Sequence, residues 1–352
     1  MMTLKQFAQG IESIPTATAW SLATLGEALG KQELFTRQSP QKLKALREHA
    51  LIESAVSSNR IEGVVIEQSR IGTVVFGKSE LRDRDEEEVR GYQDALKIIH
   101  EWGHGLQITE RNIQVFHRKI MAGRGDAGQY KERDSDIIEK HPDGRVRVRF
   151  KTVTAANTPE FMRGMIELWN DCLGQSRVPP LIAMAAMNLD FLCVHPFRDG
   201  NGRVSRLLLL QQCYALRYEV GRYISLERLI EENKERYYET LEQSSKGWHE
   251  GKHDPWPYVN FMLFILKTAY REFEERVGQI ASPKGAKTEL VISAIAKSLG
   301  PFSVADIQRQ CPGVSVDLIR TVLKKLRPQV ECVGRGRNAK WRKASEGELG
   351  IT

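Results

Sequence analysis

Residues 179–194, "PPLIAMAAMNLDFLCV", follow a proline pair and are apolar on nearly every side of a helix. A helix of that kind has to be surrounded by protein, so the chain is expected to fold as helices packed around a central buried one. The next residues, "HPFRDGNGRVSR" (195–206), are crowded with polar groups. Pro196 biases His195 away from helical geometry, which predicts that the buried helix stops there. "RVSRLLLLQQCYALR" then restarts helical spacing.

Two further stretches, "EEEVRGYQDALKIIHEW" and "TERNIQVFHRKIMAG", show helical periodicity with acidic first turns, the second opened by Thr109-Glu110 and closed by Gly123. With 352 residues, 41% of them apolar and 28% charged, the chain can bury a sizeable core in two or three domains. The N-terminal residues lack a signal-peptide core, and no run approaches the roughly 18 apolar residues of a membrane span. A cytoplasmic protein with no membrane partner is therefore expected. The five cysteines are scattered singly, without the close Cys/His spacing of structural zinc, and read as free thiols.

The loop between the two helices carries the chemistry. Gly200 and Gly202 permit backbone conformations and close approaches that a side chain would obstruct. Backbone amides there, with the N-terminus of the following helix, form an anion site. Arg203 and Arg206 lie three apart and can face the same anion, and arginine forks bind phosphate oxygens in bidentate fashion. A polyphosphate is the natural ligand. Asp199 can hold magnesium against it, since that metal takes one or two carboxylates plus phosphate oxygens. His195, at the loop's entrance, is placed to accept a proton from an incoming hydroxyl. Taken singly, His195 could be a packed residue, or His195 and Asp199 two metal ligands.

Taken together, the residues match HxFx(D/E)GNGRxxR at every fixed position, and in this the chain resembles the Fic family. The resemblance implies a mainly α fold: a Fic helical core with a β-hairpin flap. It also implies a protein adenylyltransferase that moves AMP from ATP to a Ser, Thr or Tyr hydroxyl of a target protein and of itself. By similarity, His195 is the general base, Phe197 packs the loop into the core and Asp199 carries Mg2+. ATP is held by Gly200, Asn201, Gly202, Arg203, Val204, Ser205 and Arg206, while Arg198 fills a variable position. Tyr237 and Tyr238 lie where relatives carry aromatics near the base. Tyr238 is the preferred adenine neighbour, core packing is the alternative, and Phe150 and Thr152 are weaker candidates.

Two further elements belong to the resemblance. "SSNRIEG" matches the inhibitory pattern (S/T)xxxE(G/N) at Ser58, Glu62 and Gly63, so Glu62 would reach Arg206 and hold ATP in an unproductive pose. An ordinary helix with a Ser58/Glu62 contact and a Gly63 cap reads the same way. "SDIIEKHPDGRVRVRFKTV" has two strand-like runs about an Asp-Gly turn, with Arg145 to Phe150 in the two-residue strand period. Its exposed edge could accept a target segment or be a plain surface hairpin.

Residues 284–345 hold 13 Lys/Arg against 4 Asp/Glu, a net +9 that leaves −2 for the remainder. Helical spacing in "KTELVISAIAKSL", a Ser303-capped helix, a break at Pro312-Gly313 and a Ser315-capped helix predict three helices. "QVECVG" and "AKWRK" read as two strands about "RGRN". The segment resembles a winged helix-turn-helix with Asp317, Arg320, Thr321, Lys324 and Lys325 on its outer face. DNA binding and a protein-interaction module are the two readings.

The expected organisation is an N-terminal helical region with the inhibitory motif (1–110), a Fic core with trailing helices (111–282), a linker "SPKG" and the winged-helix domain (284–345). Expected partners are the target protein, DNA through the end domain, and a second copy in a homodimer. Competing functions are a nucleotide-sensing DNA-binding regulator and a Fic enzyme that moves another phosphate-containing group or removes AMP.

Overall fold

A computed structural model describes residues 2–36, 40–77, 80–121, 123–140, 145–175, 177–280, 286–298, 300–311, 314–327, 329–334 and 339–343. The linker 282–285, the Asp143-Gly144 turn, Pro312-Gly313 and the "RGRN" turn 335–338 lie outside them. The chain divides into two compact units, Met1–Arg37 with Ala50–Phe273, and Gln38–His49 with Glu274–Thr352.

The fold is mainly helical. In order come α1 (Thr3–Gln9), α2 (Thr16–Thr36), α3 (Pro40–Ile61), α4 (Ile71–Phe76), α5 (Arg84–Trp102), α6 (Glu110–Ile120), the hairpin strands β1 (Ile137–Lys140) and β2 (Val146–Phe150), and α7 (Thr158–Gly174). They are followed by α8 (Pro180–Val194), α9 (Asn201–Ala215), α10 (Leu226–Glu232), α11 (Lys234–Ser245) and α12 (Trp256–Ile280). Among the described residues no helix is long and apolar enough to cross a membrane.

Helix α8 is the axis of the first unit. Every residue from Leu181 to Val194 is buried, and α1, α7, α9 and α11 pack around it. Each large apolar side chain fully buried there stabilises the fold by about 1.5–3 kcal/mol, an upper figure because the unfolded chain is itself partly compact. Its two polar residues are fully engaged. Asn188 donates to the Ser205 carbonyl (2.8 Å) and accepts from the Ser205 hydroxyl (2.9 Å) and the Tyr258 hydroxyl (2.8 Å), which ties α8 to α9 and α12. Asp190 accepts from the backbone N–H groups of Thr3 (2.7 Å) and Leu4 (2.9 Å) and from Trp248 Nε1 (2.7 Å). The chain's first helix is thereby fastened to the core through two of its orphan N–H groups. Burial outweighs these hydrogen bonds and pushes the Asp190 carboxyl up to about 6.

The helices flanking the site begin at side-chain caps. Thr109 accepts from Asn112 N–H at the start of α6, and Asp83 accepts from Glu86 N–H at the start of α5. Glu86 in turn pairs with Arg70 at 2.7 Å, which holds its carboxyl down to about 2.

The second unit contains α13 (Ala286–Lys297), β3 (Phe302–Ser303), α14 (Val304–Gln310), α15 (Val316–Lys325), β4 (Val330–Val333) and β5 (Lys340–Lys343). Its three-stranded antiparallel sheet has the order β3-β5-β4. Ser303 and Asp306 form a reciprocal capping box on α14, and Ser315 caps α15. Val291, Ile295, Phe302, Ile307, Ile319, Val322, Leu323 and Val330 close a small core. Arg320, Thr321, Lys324 and Lys325 line the exposed face of α15.

Candidate functional site

Helix α8 ends in an abrupt change of direction. His195 adopts φ 51°, ψ 61°, the left-handed region in which a residue other than glycine is uncommon, while its N–H still closes the last helical bond to the Phe191 carbonyl at 2.9 Å. Phe197 is fully buried and stacks on the His117 ring, with centroids 3.8 Å apart and planes within 5°. The Gly128 N–H donates to His117 Nδ1 (2.8 Å), so the ring proton sits on Nε2 and is donated to the Asp199 carbonyl (3.1 Å). Gly200, at φ +77°, is the N-cap of α9. The first N–H groups of α9 are thus left pointing outward at the loop.

Glu62 lies against this N-terminus. A Cβ built on Gly202 would fall 2.2 Å from Glu62 Oε1, so only glycine leaves room for the carboxylate. The same oxygen accepts from Arg206 Nη2 at 2.8 Å. Ser58, one turn earlier on α3, takes two further donors of that guanidinium: its hydroxyl accepts from Nε (2.8 Å) and its carbonyl from Nη2 (2.8 Å). Gly63 turns the chain at φ +87° immediately afterwards. The structure therefore brings Ser58, Glu62, Gly202 and Arg206 together.

Arg203 is paired elsewhere. Its side chain is 3% exposed and forms a charge-assisted hydrogen bond with Glu88 of α5, an acidic residue that reads in sequence as part of a solvated first turn. Asn59 Oδ1, at 3.2 Å, accepts from the same Arg203 nitrogen. Tyr92, on the next turn of α5, donates to the buried Glu227 carboxylate (3.0 Å), which also accepts from Ser54 of α3 (2.6 Å). Glu88, Tyr92 and Glu227 are residues that sequence reasoning missed, because their partners are distant in the chain.

Three other residues of the motif have partners within the chain. The Asn201 amide is engaged with the Phe197 backbone through both ends (2.9 and 2.7 Å), so it braces the loop. Val204 is fully buried and its N–H is held by the Gly200 carbonyl. Ser205 is buried against Asn188. Arg206 and the backbone around Gly202 are the groups that face Glu62.

His195 has an imidazole whose pKa is pushed down to about 4, first by burial and then by the charge of Lys131; Glu62 and Asp199 oppose this. Its Nδ1 is buried without a well-formed hydrogen bond, although the Leu192 carbonyl lies near enough to favour the protonated ring. The ring is neutral at pH 7 and able to accept a proton. The half-exposed Asp199 carboxylate accepts from Gly200 N–H (2.7 Å) and pairs with Arg124 (2.8 Å). Among the described residues no three His, Cys, Asp or Glu side chains converge on one point. A magnesium ion here would suit the sparse set it prefers, one carboxylate with phosphate oxygens and water, and Asp199 fits that role.

Tyr237 is buried, whereas Tyr238 is half-buried and its hydroxyl is pushed up, first by burial and then by the nearby Glu62 charge. Tyr238 thus borders the site. Phe150 stacks on His249 and Thr152 bonds Lys131 and the Ser135 carbonyl, so both are structural. The hairpin pairs Ile137–Lys140 with Val146–Phe150 and carries exposed Ile138 and Val148. Glu242 of α11 holds it through Arg147 (3.3 Å) and Arg149 (2.5 Å).

Residues 107–213 match the model of the Fic/DOC family. A protein adenylyltransferase Fic from Nematostella vectensis is 26% identical over 230 residues, covering 62% of this chain and 47% of that protein. Protein adenylyltransferase fic-1 from Caenorhabditis elegans is 28% identical over 148 residues, 39% of this chain and 25% of its own length. The chain thus spans about half the length of the first of these relatives and a quarter of the second. A solved structure of a Fic family protein from Desulfovibrio desulfuricans has the same fold, with a TM-score of 0.59 at 23% identity over 96% of this chain and 98% of that one.

Proposed function

We propose that the protein is an auto-inhibited adenylyltransferase that moves AMP from ATP to a hydroxyl of a target protein. The observation that carries this reading is the carboxylate of Glu62 lying against Gly202 while paired with Arg206, beside a neutral His195. An anion site at a helix N-terminus with a buried arginine suits a polyphosphate. The site already holds an anionic group from its own chain. His195 takes the proton of the target hydroxyl as that oxygen bonds the α-phosphorus and the bond to the β-phosphate oxygen breaks, releasing pyrophosphate. Arg206 and the α9 amides would hold the phosphates and neutralise developing charge. Magnesium, held by Asp199, would supply further charge neutralisation there. The hairpin would align the target segment, and Tyr238 would border adenine.

The test is to incubate wild-type and Glu62→Gly protein with magnesium and ATP labelled at the α or the γ phosphate. Covalent label from α-labelled ATP alone, stronger in the variant, is the expected result. Label from γ-labelled ATP would replace AMP transfer with phosphorylation. A second activity is favoured by the exposed Arg320, Lys324 and Lys325 on α15: docking of residues 284–345 on DNA phosphates.

A further inference from the structure

Lys131 is buried, 6% exposed, in a short loop between α6 and β1, and among the described residues it has no carboxylate within ion-pair distance. Its backbone N–H donates to the Pro196 carbonyl at 2.9 Å. Its ammonium donates to the Val194 carbonyl at 3.2 Å and to the Thr152 hydroxyl at 2.7 Å. One residue therefore grips the carbonyl on each side of His195. Thr152 passes the connection on by donating to the Ser135 carbonyl at 2.6 Å, just before the hairpin.

The two bonds bracket the left-handed His195. A residue with a Cβ in that conformation costs of order 1–3 kcal/mol and persists only where its surroundings over-determine it. Unfastening either carbonyl would let the chain relax and the imidazole turn away. The ammonium is also a positive charge facing the ring, in a setting where charges are poorly screened.

We propose that Lys131 is the positioning residue of His195: it fixes the backbone that aims the imidazole and sets a positive charge against the ring. This rests on the reading of His195 as the base in AMP transfer. The groups that face His195 are Lys131, Glu62 and Asp199. Those that face Lys131 are Asp134 and Asp136, whose charges favour the ammonium while burial brings its pKa down to about 8. Replacing Lys131 with an apolar residue leaves burial alone to oppose Glu62 and Asp199, both of which favour the imidazolium.

The test joins an NMR titration of the His195 imidazole with transfer kinetics, in full-length protein bearing Lys131→Met, Lys131→Arg or Thr152→Val, the kinetics being measured with Glu62→Gly added to each and to the reference. Lys131→Met should raise the imidazole pKa by roughly one unit. It should also slow transfer by about tenfold or more at unchanged KM for ATP, because the fault lies in the aim of the imidazole, not in phosphate binding. Lys131→Arg should keep the wild-type pKa, and Thr152→Val, which removes only the hydroxyl contact, should lie between. Should Lys131→Met fail to fold, the comparison of Thr152→Val with Lys131→Arg carries the test. An imidazole pKa unmoved in both Lys131→Met and Thr152→Val would overturn the proposal. A Glu62→Gly protein that transfers nothing while its His195 pKa still responds to Lys131 would remove the AMP-transfer reading and keep the positioning role.

Discussion

Replacing Glu62 should make the protein bind nucleotide more tightly and unfold more easily, two effects with one cause. The Arg206 side chain is 2% exposed and that of Glu62 is 31% exposed, with 2.8 Å between them. Removing the carboxylate leaves the buried guanidinium with the Ser58 hydroxyl and carbonyl as acceptors. The loss should thus lie nearer a charged hydrogen bond, about 1–3 kcal/mol, than the larger cost of stranding a charge altogether. At about 2–4 °C per kcal/mol for a domain of this size, Glu62→Gly should melt roughly 2–12 °C below wild type. In the other direction, a phosphate about 4 Å from a carboxylate would be repelled by roughly 4 kcal/mol at an effective dielectric constant near 20, so both cannot occupy Arg206. Freeing the fork should strengthen binding of a non-hydrolysable ATP analogue by about 10- to 100-fold, or roughly 1.4–2.8 kcal/mol. Titration calorimetry at pH 7 with magnesium reads the affinity, and melts with and without the analogue read the stability, which ligand should restore. Glu62→Gln, which keeps the shape without the charge, should fall between. If Glu62→Gly binds and melts like wild type, the competition for Arg206 does not exist.

Glu88→Ala should destabilise the first unit by about 3–5 kcal/mol in urea unfolding, since it leaves the Arg203 charge buried; a loss below about 1 kcal/mol would refute that pairing. His253 is buried, bonds the Thr3 hydroxyl at 2.8 Å and has its pKa pushed down to about 4 from 6.5, chiefly by burial. Its stabilising contribution is complete above pH 6.5 and disappears as pH falls through 4, because the unfolded chain takes up the proton first. Asp190, raised to about 6 from 3.8, works oppositely and blunts the acid side. Unfolding free energies across this range should fall less steeply in His253→Gln, by up to about 1.4 kcal/mol per pH unit, and an identical slope would contradict the buried neutral ring. In the second unit, replacing Arg320 and Lys324 by alanine should lower the slope of log K against log salt for DNA by about 2. Equal slopes would dismiss that face.

What the sequence disclosed was mostly local. The stop at His195 follows from one proline, the starts of α6, α14 and α15 from Thr109, Ser303 and Ser315, and the buried course of α8 from its composition. The pairing of Glu62 with Arg206 came from a pattern of motifs, not from spacing. Residues whose meaning lies in a distant partner stayed hidden: Glu88 looks like a solvated acid until Arg203 meets it, and Lys131 is one cation among several in "QYKERDSD". Asn201 and Ser205 show the converse, since both are engaged within the chain. A polar side chain in a ligand motif can hydrogen-bond its own loop as readily as a ligand, and composition does not separate the two.

Asp190 gathers the N–H groups of Thr3 and Leu4 at the very beginning of the described chain. Terminal segments ordinarily fray and exchange their amide hydrogens within local openings. Here those two amides can be released only by exposing a carboxylate in the middle of α8, the most enclosed helix of the unit. The opening that frees Thr3 and Leu4 therefore also removes two partners of the helix that ends in His195.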